Sequence, residues 1–193
     1  MELLEALYTR RSVRRYTDQP VTKETIEQLL QAATQAPSAM NFQPWAFLII
    51  QDRAKLAEFS TQAKALLLTL LEQAPNLRRY ETALSNPKFN IFYEAATLLV
   101  IYGKPESHRT IVDCSLAAQN LMLAAHALGL GTCWIGFAQP LLDQPDIKAS
   151  LGVPADYQVV APIIIGYPQG KMPAPEKKPP EIIAWHGQAS VQA

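Results

Sequence analysis

Residues 110–128, TIVDCSLAAQNLMLAAHAL, limit how this chain can fold more than any other segment. They read as one helix that ends at Gly129, a residue suited to the left-handed conformation that closes many helices. Leu116, Leu121, Met122, Leu123 and Leu128 fall on several faces of that helix rather than on one stripe. A helix that is apolar nearly all round is not stable with most of its surface in water. It must lie in the middle of the protein or against a second subunit, and the sequence leaves both placements open.

The flanking segments supply material to bury it. Leu3, Leu4 and Leu7 recur at helical spacing. A second helix opens on Thr22 as N-cap, carries Ile26, Leu29, Leu30 and Ala33 on one face, and is stopped by Pro37. The run WAFLII, residues 45–50, predicts a strand covered on both faces. Asp52 then caps a third helix through Leu56, Phe59, Ala63, Leu66, Leu67 and Leu70, and residues 75–87 read as a connection or short helices. TLLVIY, residues 97–102, is a second buried strand, and CWIGF and VVAPIIIGY are further strand candidates. At 193 residues the chain suits one domain, 1–193, with residues 168–193 as an extended C-terminal tail too rich in proline for regular structure. Ile182, Ile183 and Trp185 would be an exposed apolar cluster on that tail, so it is expected to dock into a groove on its own subunit or a neighbour.

Charge and cysteine usage exclude several classes of function. Lysine and arginine together number 17, as do aspartate and glutamate, so no global charge points to nucleic acid or a membrane surface. The start, MELLEALYTRR, lacks the pattern of a secretory signal, and the longest apolar runs fall far short of the ~20 residues that span a bilayer. The cytoplasm is the expected location. Cys114 and Cys133 stand in no metal or disulfide spacing and are expected as reduced thiols, and His108, His126 and His186 form no metal or triad pattern.

Four segments carry residue types suited to binding. In RRSVRRY, Arg10, Arg11, Arg14 and Arg15 surround Ser12; arginine forks and a hydroxyl suit a phosphate, although a solvated basic patch would look the same. In APSAMNFQPWAF, Pro37, Ser38, Asn41, Gln43 and Pro44 form a polar loop leading into a strand, where ligands often bind; the same side chains can simply hold a turn. Gly129 and Gly131 follow a helix and precede a strand, the reverse of the dinucleotide-binding order, so that motif is rejected. A flat ring can instead lie along Trp134, Ile135 and Gly136, where the missing side chain permits close approach, unless Trp134 is ordinary core. Lys177 and Lys178, held between prolines, are either a second clamp on a phosphate or a solvated pair.

Taken in order, these motifs resemble the nitroreductase family of flavoproteins over most of the chain. The resemblance implies an α+β sandwich, a mainly antiparallel central sheet flanked by helices, in an interlocked homodimer with FMN at each of two interface sites. It implies that Arg10, Arg11, Ser12 and Arg14 contact the FMN phosphate, ribityl chain or pyrimidine edge, with Lys177 or Lys178 completing the phosphate site. Pro37, Ser38, Ala39 and Asn41 would come from the partner subunit, and Trp134, Ile135 and Gly136 would pass along the ring. Arg14 is expected near the pyrimidine side, a backbone N–H near Gly136 beside the reacting edge, and Tyr80, Phe89 and Phe92 as candidates for the pocket roof, although ordinary packing is the favoured reading of these three. The chemistry would belong to the cofactor, with no catalytic side chain and no metal. NADH or NADPH would give electrons, and a small nitroaromatic or quinone-like acceptor would take them in a ping-pong cycle. The same fold implies alternatives: reductive dehalogenation, flavin fragmentation, small-molecule dehydrogenation, or FMN binding without turnover. Ala95 and Ala96 stand where many members have proline, and Trp134 and Ile135 stand where one branch has an acidic residue before the glycine, which leaves the branch open.

Overall fold

The computed structural model describes residues 1–71 and 75–187. Four strands, β1 (Trp45–Ile50), β2 (Thr97–Gly103), β3 (Gly131–Trp134) and β4 (Gln158–Gly166), form one sheet in the order β1-β2-β4-β3, with every pair antiparallel. The two central strands come from the most apolar runs, and all seven residues of β2 are buried. Alternation then sends Leu99 and Ile101 to one face and Leu98, Val100 and Tyr102 to the other, so each face gathers its own core.

Helices cover both faces. On one lie α2 (Lys23–Ala33) and α5 (Thr110–Ala127), whose Ile26, Leu29, Ala117, Leu121 and Ala125 pack against the sheet. On the other lie α3 (Arg53–Thr69) and the short α6 (Gln139–Leu142), which bring in Leu56, Phe59, Ala63 and Leu142. The remaining helices are α1 (Leu3–Thr9), α4 (Glu81–Leu84) and α7 (Pro145–Ser150). The architecture is therefore the expected α+β sandwich around an antiparallel sheet. The caps also fall where the sequence puts them: Thr22 Oγ1 accepts from Thr25 N–H at 3.3 Å and Asp52 Oδ1 from Lys55 N–H at 3.1 Å. Gly129 adopts φ 79° after α5, where the Leu130 N–H returns to the Ala125 carbonyl.

Three expectations change. The WAFLII strand is not covered on both faces: β1 is an edge strand, and its four inner residues are half-buried. CWIGF is a strand only to Trp134; Ile135 leaves the sheet by donating to the Pro162 carbonyl at 2.8 Å, and a short 3-10 turn follows at Gly136–Ala138. That proline sits in a central strand just past a bulge, where its carbonyl still serves the neighbour although it has no N–H to give. The described part of the tail after residue 170 forms no helix or strand, and Ile182, Ile183 and Trp185 are 61%, 97% and 83% exposed, so they occupy no groove of their own subunit, which leaves a neighbour of the two expected places. Helix α5 divides between both placements: it fills one core, yet leaves Ile111, Val112 and Leu116 exposed, and α1, which packs on α5, leaves Leu3, Leu4 and Leu7 exposed as well. The last residues of the expected tail, 188–193, lie outside the described residues.

Candidate functional site

The arginine-rich segment is placed by the sheet. Ser12 bridges to Thr132 of β3, the Val13 N–H donates to the Thr132 carbonyl at 2.9 Å, and Tyr16 bridges to Pro168 at the start of the tail. Val13 crosses so close to Gly131 that a Cβ there would stand 2.6 Å from Val13 Cγ2, and a Cβ on Gly166 would stand 2.8 Å from the Tyr16 ring. Glycine at these two positions lets the segment lie flat on the strand ends. The half-buried Tyr16 phenol donates to the Val13 carbonyl at 2.7 Å, and desolvation raises its pKa far above the ordinary range.

Pinned in this way, Arg10, Arg11, Ser12 and Arg14 line a cavity of about 440 Å3, closed on its far side by Met172–Pro175 and Lys177 of the tail. The tail turns back to them because Gln169 N–H donates to the Arg15 carbonyl at 2.9 Å. Lys177 borders this cavity and Lys178 does not. Arg11 is partly engaged elsewhere: its Nη1 donates to the Tyr8 carbonyl at the end of α1, 2.7 Å, and to the Arg10 carbonyl, 2.8 Å. Nearby, burial and then Arg10 and Arg11 hold the His126 pKa down, while its ring lies 2.8 Å from Thr9 Oγ1.

Arg14 also opens onto a second cavity of about 470 Å3, walled by Cys133, Trp134, Ile135 and Gly136 where β3 leaves the sheet. A Cβ on Gly136 would meet nothing within 4 Å, so this stretch of backbone faces open space. Leu67, Leu70, Leu77 and Tyr80 oppose it, and Tyr80 meets Phe137 edge to face at 5.1 Å. Burial pushes the Cys133 thiol upward in pKa, with Arg14 pulling the other way. Tyr80, one of the three roof candidates, lines this cavity. Phe92 does not: it is wholly buried in the core, because α3 and the loop before β2 close over it. Phe89 faces a separate groove with Arg15 and Lys88, where it meets Tyr93 at 5.7 Å. Sequence reasoning missed Leu67, Leu70, Leu77, Phe137 and Cys133; their apolar spacing reads as core, and no signal in the sequence marks them as lining.

The third segment stands apart. Pro37, Ser38, Ala39 and Asn41 border neither cavity. They form a tight loop before β1 in which Met40, Asn41 and Gln43 have φ of 49°, 58° and 50°, and the Gln43 N–H donates to Ser38 Oγ at 3.0 Å. The Ala39 N–H donates to Asp113 Oδ1 at 3.2 Å. Among the described residues no cluster of histidine, cysteine, aspartate or glutamate is suited to a metal ion.

One cavity rimmed by guanidiniums and an ammonium, joined through Arg14 to an apolar slot along exposed backbone, is an arrangement with the chemistry to take a ligand that is anionic at one end and flat at the other. The chain belongs to the nitroreductase family, whose pattern it matches over residues 7–167. It is 33% identical over 168 residues to an Archaeoglobus fulgidus protein provisionally named NADH dehydrogenase/NAD(P)H nitroreductase, covering 87% of this chain and 86% of that one. It is equally 33% identical, over 186 residues, to the 5,6-dimethylbenzimidazole synthase of Rhodospirillum rubrum, covering 90% of this chain and 85% of that one. A nitroreductase from Bacteroides fragilis, solved with bound FMN, superposes with a TM-score of 0.81 at 27% identity, over 97% of this chain and all of that one.

Proposed function

We propose that this protein is an FMN-dependent oxidoreductase, passing electrons from NADH or NADPH to nitroaromatic or quinone-like acceptors by a ping-pong mechanism. The observation that carries the reading is the junction at Arg14 of a cationic cavity and an apolar one. The residues fit the cofactor. Five polar or cationic side chains, Arg10, Arg11, Ser12, Arg14 and Lys177, surround the space a phosphate needs, and the open face at Gly136 leaves room for a ring.

When bound, FMN supplies the redox chemistry, taking an electron pair from the nicotinamide and later giving it to the acceptor. The chain's residues bind, orient and tune. Arg14 reaches both cavities, so its fixed charge favours the more anionic reduced cofactor by electrostatic preorganisation. The backbone of Trp134, Ile135 and Gly136 would support the ring, with the Gly136 N–H as a donor to its edge. Leu67, Leu70, Tyr80 and Phe137 present an apolar, aromatic wall that suits a flat, poorly hydrated acceptor. If this backbone covers one face of the ring, donor and acceptor would use the same space in turn.

We further propose a homodimer. The exposed apolar residues of α1 and α5 supply a surface to cover, and a second copy would bring Pro37, Ser38, Ala39 and Asn41 to the cofactor, since they border neither cavity within one subunit. Among the described residues no helix is long and apolar enough to cross a membrane, in keeping with the cytoplasmic location we propose. Initial rates with NADH or NADPH and a nitroarene test the mechanism: parallel double-reciprocal plots support it, and intersecting plots contradict it. A second reading, already implied by the family resemblance, is fragmentation of the flavin itself; that a relative of equal identity is named a synthase rather than a nitroreductase keeps a reaction other than nitroreduction in view. Consumption of FMN under air, with no turnover of nitroarene, would select it.

A further inference from the structure

We propose that Asp113 is a positioning residue for the cofactor-facing loop, holding residues 38–43 in shape through the Ala39 N–H. The inference rests on the reading of that loop as a wall of the FMN site. Asp113 lies in the first turn of α5 and is only 3% exposed. An aspartate is almost never buried this fully unless something compensates its charge. Among the described residues it makes no ion pair. It accepts from Ala39 N–H, a residue 74 positions away, and its second oxygen, Oδ2, is buried with no hydrogen-bond partner among the described residues. The N-terminal end of the 18-residue α5 favours a negative charge at this place, so the carboxylate is a fixed anchor aimed inward at the loop.

The loop needs such an anchor. Met40, Asn41 and Gln43 all sit in the left-handed region without being glycine, a conformation that persists only where surroundings hold it. The bonds of Ser38 Oγ and Asn41 Oδ1 both end on Gln43 and so are internal to the loop. The Ala39–Asp113 bond is different in kind, because it joins the loop to another element of the fold. Losing it would leave Ser38 and Asn41 in their present geometry for only a fraction of the time. Apparent affinity for a ligand falls by that fraction.

The test uses full-length protein and FMN itself, with hydrogen exchange over residues 37–44 and a fluorescence titration. Asp113→Ala should speed exchange in the loop and raise the FMN dissociation constant, each about tenfold, while exchange in β2 and β4 stays at wild-type rates. Asp113→Asn keeps the Oδ1 acceptor and should stay within about threefold of wild type in both. Ala39→Pro removes the donor instead; it follows an extended Ser38 and opens a 3-10 turn, a place that accepts proline, and should reproduce the loss of affinity. If Asp113→Ala does not fold, Ala39→Pro decides. Wild-type FMN affinity in both Asp113→Ala and Ala39→Pro, or a loosened loop with unchanged affinity, overturns the proposal. A wild-type protein that binds no FMN would refute the functional reading instead, and the exchange rates would still show whether Asp113 holds the loop.

Discussion

Two glycines five positions apart in the chain make opposite predictions when each is replaced by alanine. At Gly136 the new Cβ would meet nothing within 4 Å, and the backbone is outside the left-handed region. Folding stability should change by less than about 0.5 kcal/mol, or rise by roughly 0.4–1 kcal/mol as the unfolded chain loses freedom. The methyl group would nevertheless project into the space assigned to the flavin ring. Crowding a fitted contact costs about 1–3 kcal/mol, which weakens FMN binding by roughly 5- to 150-fold. At Gly131 the new Cβ would stand 2.6, 2.7 and 2.8 Å from Val13 Cγ2, Cβ and Cγ1. Val13 is buried and bonded to Thr132, so it must move and carry Ser12 and Arg14 with it. The same crowding term, taken at about 2–4 °C per kcal/mol for a domain of this size, lowers Tm by roughly 2–12 °C. Thermal melts without cofactor and FMN titrations of both variants complete the assay. If Gly136→Ala melts as low as Gly131→Ala, or binds FMN as tightly as wild type, the placement of the ring is wrong.

Lys177→Ala should weaken FMN binding about tenfold and Lys178→Ala less than about twofold, because only Lys177 borders the arginine-lined cavity; equal losses would contradict the assignment. Tyr80→Ala should raise KM for a nitroarene more than it changes FMN affinity, since Tyr80 and Phe137 line the outer wall; steady-state kinetics beside a titration separates the two effects. Burial pushes the Cys114 thiol up to about 12. A raised folded pKa favours the neutral thiol, so its contribution is complete below the unfolded value near ~8.5 and is lost as pH rises from there toward the folded value. Urea midpoints between pH 8 and pH 10.5 should therefore fall more steeply for wild type than for Cys114→Ala. Ile111→Asp, on the exposed side of α5, should shift sedimentation from dimer to monomer with little change in secondary structure.

What could be read from the sequence was whatever depends on neighbours along the chain. Thr22 and Asp52 cap helices because a hydroxyl or carboxylate at that position needs only the amides three residues on. The apolar runs gave the strands, and Gly129 marked the end of α5, because both signals are local. What depends on position in the sheet was not legible. WAFLII has the composition of a central strand, but with β2 on one side and, among the described residues, no strand on the other it forms the edge. Phe92 is as aromatic as Tyr80, yet the Asn90 side chain accepting its amide and the Ser60 hydroxyl accepting that of Ile91 turn this stretch into the core. The basic segment was visible as charge, whereas which of Lys177 and Lys178 borders the cavity needed the fold of the tail. Asp113 is a single acid in an apolar helix; its place beneath Ala39 is a contact across 74 residues that no local pattern carries.

The central claim is tested most directly by the visible absorption of the purified protein, reconstituted with FMN and followed anaerobically through NADH and then NADPH. The account predicts a bound-flavin spectrum that either donor bleaches and that a nitroarene or quinone restores. A colourless protein that takes up no FMN, or a bound flavin that neither donor reduces, would contradict it.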